Sequence, residues 1–182
     1  MDFLARVWAR PGAFNGTNDE VRDAALALIN TGLRPSELLG TIEEEIILDS
    51  DTPHLIIRPR DGGPHPRKLK NATSERKVPL SGISLEAMRR RPKGFERYFG
   101  NSDRFSAAVN KFCRANGLFE VDGQTLYHLR HSFEDRLTSV ECPERIKADL
   151  MGHKLDRQRY GMGATLAHKA EWVARVAVMS GR

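Results

Sequence analysis

Thr31-Gly32-Leu33-Arg34-Pro35-Ser36-Glu37-Leu38 is the stretch on which the reading of the fold turns. It joins two helical patterns. Upstream, Val21, Ala24, Ala25, Leu28 and Ile29 recur at the spacing of one helix face. Asn18 can cap the start, with Asp19 and Glu20 set against the positive end of the helix dipole. Gly32 follows the last periodic residue and fits the left-handed position that ends a helix. Pro35 or Ser36 then opens a short second helix, since a proline's missing N–H costs nothing at a first helical position. Arg34 stands at the junction, and Glu37 is close enough to steady it by a charged hydrogen bond. Taken alone, this is most simply a surface ion pair.

Beyond the junction the pattern becomes β. Ile46-Ile47-Leu48 and Leu55-Ile56-Ile57 are short apolar runs, and Asp49, Ser50, Asp51 and Pro53 between them make a turn. Residues 59–68, rich in Gly, Pro and Arg, read as a loop. Lys77-Val78-Pro79-Leu80 ends a third strand, with Pro79 at an edge or a strand end. Helices are expected at 84–91, 103–115, 124–138, 143–150 and 165–178, the third with a buried stripe of Leu126, Leu129, Phe133 and Leu137. The expected fold is α+β, mainly helical, with a small three-stranded antiparallel sheet. Residues 1–17, punctuated by Pro11, Gly12 and Gly16, show no period and read as an N-terminal tail before one domain at 18–182.

The formal charge of +5 is compatible with a polyanionic partner without requiring one. Its distribution says more. Residues 18–57 hold nine Asp/Glu and two Lys/Arg; residues 58–98 hold twelve Lys/Arg and four Asp/Glu. That shift predicts a one-sided basic surface. Cys113 and Cys142 offer neither metal-ligand spacing nor a disulfide framework. No apolar run approaches the roughly 18 residues that span a membrane, and the N-terminus lacks an apolar signal core. The chain reads as a soluble protein of a reducing cytoplasm.

Three further segments carry candidate chemistry. Lys70-Asn71-Ala72-Thr73-Ser74-Glu75-Arg76-Lys77-Val78-Pro79-Leu80 resembles a β-hairpin with a lysine ahead of its turn; by itself it is a solvated basic turn. Tyr127-His128-Leu129-Arg130-His131-Ser132-Phe133 places Arg130 beside the buried stripe, where it needs a carboxylate inside the protein or a phosphate outside it. Leu150-Met151-Gly152-His153 is followed by Tyr160, which sits among Asp156, Arg157, Gln158 and Arg159 and not in an apolar run. His153 can donate to a phosphate oxygen or move a proton near neutral pH.

In this order, the four segments resemble the boxes of the tyrosine recombinase (phage integrase) family. TGLRPSEL is similar to the first arginine box, the Lys-to-VPL hairpin to the catalytic lysine region, HLRHSF to the second arginine box, and LMGH with a following tyrosine to the closing box. The resemblance spans residues 31–160 and implies a catalytic domain that cuts and rejoins double-stranded DNA. Arg34 and Arg130 would grip the scissile phosphate. Lys70 would act as general acid toward the leaving 5′-oxygen, His153 would hold a phosphate oxygen or assist proton transfer, and Tyr160 would attack to give a 3′-phosphotyrosine. Glu37, Tyr127 and His131 would support them.

Arg58, Arg60, Arg67, Lys68, Arg76 and Lys77, with Arg157 and Arg159 around the tyrosine, are the expected DNA contacts. No metal or other cofactor is implied. Self-association on DNA as a tetrameric synapse is implied, in the cytoplasm or nucleoid of a bacterial host. The family's N-terminal DNA-clamping domain has no room in residues 1–30, and the last helix can dock on a neighbouring protomer or pack within its own chain.

The sequence departs from the family pattern at two places. Tyr127 stands three residues before Arg130, where the family has His or Lys. A phenol, with an ordinary pKa of about 10, is a poor proton shuttle. The step from His153 to Tyr160 is also shorter than the usual one. Two alternatives therefore stand beside the recombinase: a relative that holds DNA without cutting it, and a type IB topoisomerase-like enzyme.

Overall fold

The computed structural model describes residues 3–62, 65–69, 74–154 and 163–181. Helix α2 (Asp19–Ile29) is the axis of the molecule. Asn18 caps it by accepting from the Val21 amide at 3.0 Å. The sequence pattern marks one apolar face, but Val21 and every residue from Asp23 to Ile29 are buried. Elements cover α2 on several sides: α4 (Gly82–Arg89) along its length, then α3 (Pro35–Leu39), α5 (Ser102–Ala115) and α6 (His128–Ser139). Asp23 tolerates this burial because Arg22, Arg90 and Arg91 each donate to its carboxylate, at 2.9 to 3.0 Å.

The sheet is antiparallel in the order β1 (Ile46–Ile47), β2 (His54–Ile57), β3 (Arg76–Pro79). Ile46 pairs with Leu55, and Leu55 with Val78; Pro79 falls at the strand end opposite His54, where its missing N–H interrupts no ladder. Ile46, Leu55, Ile57 and Val78 turn inward. The expected α+β fold with one small three-stranded sheet is the observed one.

Helix α5 buries Phe105, Val109 and Cys113, one stripe at helical spacing. Helix α6 begins at His128, later than the pattern suggests, since the chain first turns through Gly123 and the Leu126 amide is held by Asn110 Oδ1 at 2.7 Å. The stripe Leu126, Leu129, Phe133 and Leu137 is buried as expected.

Phe133 and Leu137 open a second apolar cluster with α7 (Glu144–Met151) and α8 (Leu166–Val176), including Ile146, Leu150, Met151, Val173 and Val176. Helix α8 thus packs within its own chain. After it, Asn30 exchanges two hydrogen bonds with the backbone of Val178, each 2.9 Å, and pins the final segment across α2.

Residues 1–17, expected as a tail, behave differently over their described part. Helix α1 (Phe3–Val7) and the turns after it bury Leu4, Trp8, Ala9, Ala13 and Phe14. The Trp8 indole N–H donates to the Leu118 carbonyl at 2.6 Å, and Phe14 stacks on Phe112 with ring centroids 5.8 Å apart. A segment this short cannot show a period, yet two aromatic rings supply enough apolar area to hold it down.

Candidate active site

The site forms where four chain segments meet behind the junction quoted above. Gly32 adopts φ +60°, and a Cβ there would lie 2.6 Å from Phe133 and 2.8 Å from the Met151 sulfur. Glycine is therefore required for the end of α2 to close onto the second apolar cluster. Arg34 caps α3, and Glu37 reaches back to it: its carboxylate accepts from the Arg34 backbone N–H at 2.9 Å and from Arg34 Nη1 at 2.8 Å. Arg76, from β3, lies against the same carboxylate in a two-pronged pair of 2.9 and 3.2 Å. Glu37 thus receives four donors, as many as a carboxylate can take. Burial pushes its carboxyl up, but Arg76 and then Arg34 outweigh that and hold it below its ordinary value.

Arg76 is fixed at its other edge as well. Its Nε donates to the Leu150 carbonyl at 3.0 Å and its Nη1 to the Ser74 carbonyl at 2.7 Å. Its guanidinium lies against Gly152, the left-handed residue that ends α7; a Cβ on Gly152 would fall 2.7 Å from Arg76 Nη1. The two glycines, 32 and 152, are what let three basic side chains approach one another.

Arg130 rises from the first turn of α6 and is only 4% exposed. Its Nη1 donates to the Gly32 carbonyl, and its Nη2 to the Met151 carbonyl at 2.5 Å and to His153 Nε2 at 3.0 Å. Burial, then the charge of Arg34, lower its affinity for its proton, though a guanidinium stays charged. His153 keeps 43% of its side chain exposed and turns Nδ1 toward Glu134 Oε1 at 3.7 Å. Burial first, then Arg130, push its imidazole below the ordinary 6.5.

Arg34, Arg130, His153 and Glu37 are therefore brought together. The cluster carries more positive than negative charge and is suited to an anion with several oxygens. Two members were not assigned here from sequence. Arg76 was expected at the DNA surface and is instead the internal partner of Glu37. Glu134 had gone unmarked, although it lies one helical turn beyond Arg130 on the same face. Tyr127 stands just before α6, 45% exposed. His131 sets its ring edge-on to Tyr127 at 5.2 Å and to His128 at 5.9 Å, on the outside of the helix.

The expected DNA contacts divide. Lys68 and Lys77 are exposed. Arg58, Arg60 and Arg67 converge instead on the fully buried Glu45, at 3.4, 2.5 and 3.0 Å, the second an ion pair off-axis for a hydrogen bond. Arg60 and Arg67 also donate to the Gly40 carbonyl, and Arg67 to that of Arg58. A carboxylate buried under a basic loop draws its cations inward, because an unpaired one would be costly there. Arg60, Arg67 and Arg76 are therefore engaged by groups of their own chain, where the sequence suggested phosphate contacts. Lys70, Arg157, Arg159 and Tyr160 lie outside the described residues.

No protein-family model matches the chain, and no curated protein matches it. Among solved structures, the integrase from mycobacterium phage Brujita is similar over 100% of this chain and 58% of that one, with a TM-score of 0.66 and 16% identity. The Tn1549 transposon integrase in complex with transposon right end DNA is similar over 94% of this chain and 58% of that one, with a TM-score of 0.56 and 17% identity. The same integrase in complex with circular intermediate DNA gives a TM-score of 0.53 over 93% of this chain, at 17% identity.

The chain has the integrase fold. It spans 58% of the length of each of these three integrase chains. No helix among the described residues is long and apolar enough to cross a membrane. Within the integrase fold, the Arg34–Glu37–Arg76 cluster, Arg130 and His153 occupy one continuous site built from α3, β3, α6 and the end of α7.

Proposed function

We propose that this chain is the catalytic domain of a tyrosine recombinase, acting on double-stranded DNA through a 3′-phosphotyrosine intermediate. One observation carries the reading: Arg34 and Arg130, far apart in sequence, meet at a site shared with His153. A phosphodiester under attack gains negative charge on its equatorial oxygens, and fixed guanidiniums stabilise that charge most where water is excluded. Arg34 is the better placed of the two to take a phosphate oxygen. Among the described residues its side chain bonds only Glu37, and part of it remains exposed.

Tyr160 is the proposed nucleophile, Lys70 the proposed general acid toward the 5′-oxygen, and His153 the proposed partner of a phosphate oxygen or a proton. The covalent link would conserve the energy of the broken DNA bond, so that rejoining needs no nucleotide. Self-association on DNA and a nucleoid location belong to the same proposal. The neighbour in complex with transposon right end DNA supports DNA as the partner.

A second reading is favoured by Arg130 itself. Two of its three nitrogens already bond backbone carbonyls, as in a structural arginine, and such a chain would hold DNA without cutting it. One experiment separates the two. On a nicked suicide duplex, the wild-type chain is expected to form a denaturant-resistant adduct and Tyr160→Phe none, while both shift the duplex in a gel. A wild-type chain that binds yet forms no adduct sinks the recombinase reading. An undiminished adduct in Tyr160→Phe sinks the assigned nucleophile.

A further inference from the structure

We propose that Glu134 is a positioning residue for His153, selecting the tautomer that carries its proton on Nδ1 and presents the Nε2 lone pair to Arg130. The proposal deepens the recombinase reading and rests on it for its catalytic meaning.

Arg130 Nη2 can only donate, so His153 Nε2, 3.0 Å away, must accept. The imidazole is then neutral and its single N–H lies on Nδ1. That nitrogen faces Glu134 Oε1 at 3.7 Å, within reach of an ion pair and beyond a direct hydrogen bond. Glu134 follows Arg130 by four residues in α6, so one helix face holds both groups that address the ring. The backbone side is fixed too. Gly152 ends α7 in the left-handed conformation, and the His153 N–H donates to the Ala148 carbonyl at 2.9 Å. The ring is thereby held between a donor it must accept from and a carboxylate that attracts its proton.

Among the described residues, the charged groups that face His153 come from three elements. Arg130 and Glu134 belong to α6, Arg34 to the start of α3, and Arg76 to β3. Burial and the three guanidiniums disfavour imidazolium; among the described residues only Glu134 opposes them. Without Glu134 the ring would be free to turn over or to exchange tautomers. Arg130 alone would then select the tautomer, and the form that sets an N–H against its guanidinium, donor against donor, would be less strongly disfavoured. With Glu134 in place, an anion that draws Arg130 away leaves a lone pair facing the site, and His153 becomes a proton acceptor there.

The test uses the full chain and variants Glu134→Gln, Glu134→Ala and Glu134→Asp. Long-range ¹⁵N–¹H NMR of the free protein, with His153 assigned by the loss of its signals in His153→Gln, reads both tautomer and titration. Wild type is expected to show the Nδ1–H tautomer. Glu134→Gln and Glu134→Ala should move the His153 midpoint to lower pH, and Glu134→Ala should raise the Nε2–H population. Glu134→Asp should restore both in part. On the nicked duplex, Glu134→Ala should form adduct about tenfold more slowly, the low end of what is lost when a carboxylate that orients a metal-bound histidine is removed. The acid limb of the Glu134→Gln profile should move down with the NMR midpoint.

A wild-type Nε2–H tautomer, or a midpoint unmoved in both Gln and Ala variants, overturns the proposal whatever the DNA assay gives. A shifted midpoint in a chain whose wild type forms no adduct upholds the positioning role and sinks only the recombinase reading.

Discussion

Glu37 and Arg76, 39 residues apart, meet through two parallel hydrogen bonds of 2.9 and 3.2 Å in a place almost closed to water. Glu37 also holds Arg34, so one carboxylate sets the position of two guanidiniums. Replacing it by glutamine leaves the buried Arg76 and the part-buried Arg34 without their counter-charge. Glu37→Gln is expected to lose about 3–5 kcal/mol in urea unfolding, the usual cost of breaking a buried pair on one side. The double variant Glu37→Met, Arg76→Met should recover much of that. A loss in Glu37→Gln below ~1 kcal/mol would show that water reaches the pair.

The same carboxylate sets an acid dependence. Its folded pKa lies below the ordinary 4.5, so in the window between the two values the unfolded chain binds more protons and stability rises with pH. The contribution is complete above 4.5 and is lost as pH falls through the lower folded value. Wild type and Glu37→Gln should therefore differ by a constant amount from neutral pH down to the unfolded value, then converge. Convergence that begins near neutrality would place the linked group elsewhere.

Gly152 and Gly117 share a left-handed backbone, φ +65° and +62°, but only Gly152 is crowded. Alanine at Gly117 should cost about 1–2 kcal/mol, the backbone penalty alone. Alanine at Gly152 must also displace an Arg76 guanidinium held by Glu37 and by the Leu150 and Ser74 carbonyls. A clearly larger loss is expected, with weakened DNA binding. Equal melting temperatures for the two variants would mean that Arg76 moves aside freely.

Trp8 tests the N-terminal segment. Trp8→Ala is expected to destabilise by about 3–5 kcal/mol, as for other fully buried aromatics. Trp8→Phe keeps most of the packing and should lose mainly the bond to the Leu118 carbonyl, about 1–2 kcal/mol. An unchanged melting temperature in Trp8→Ala would restore the view of residues 1–17 as a tail.

What could be read from the sequence was whatever is local. The Asn18 cap, the left-handed Gly32, the proline-initiated α3, the three short strands and the stripe through Phe133 all follow from spacing within a few residues. Arg34 and Glu37 lie within one turn, and their pairing followed for the same reason. Arg76 shows where local reading stops. In sequence it belongs to a basic turn, and its true partner lies 39 residues upstream: strand alternation sets Arg76 on the face of Val78 and Lys77 on the other, but it names no carboxylate to meet the inward one. Glu45 collects Arg58, Arg60 and Arg67 over an equally silent gap. Glu134 was within reach, since its offset from Arg130 puts both on one helix face, but His153 had first to be placed beside them. The Trp8 segment was hidden because burial there comes from two large rings and not from a repeated pattern.

The inward turn of Arg60 and Arg67 onto Glu45 bears on how tightly such a surface grips a polyanion. A cation already facing a carboxylate inside the protein displaces few condensed ions from a duplex, and each phosphate neutralised contributes a slope of about −0.9 to the salt dependence of binding. The basic stretch 58–98 is thus partly spent on holding its own loop in shape. If DNA is the polyanion, as the recombinase reading has it, the electrostatic footprint would be narrower than the arginine content implies, and the grip should weaken more gently as ionic strength rises.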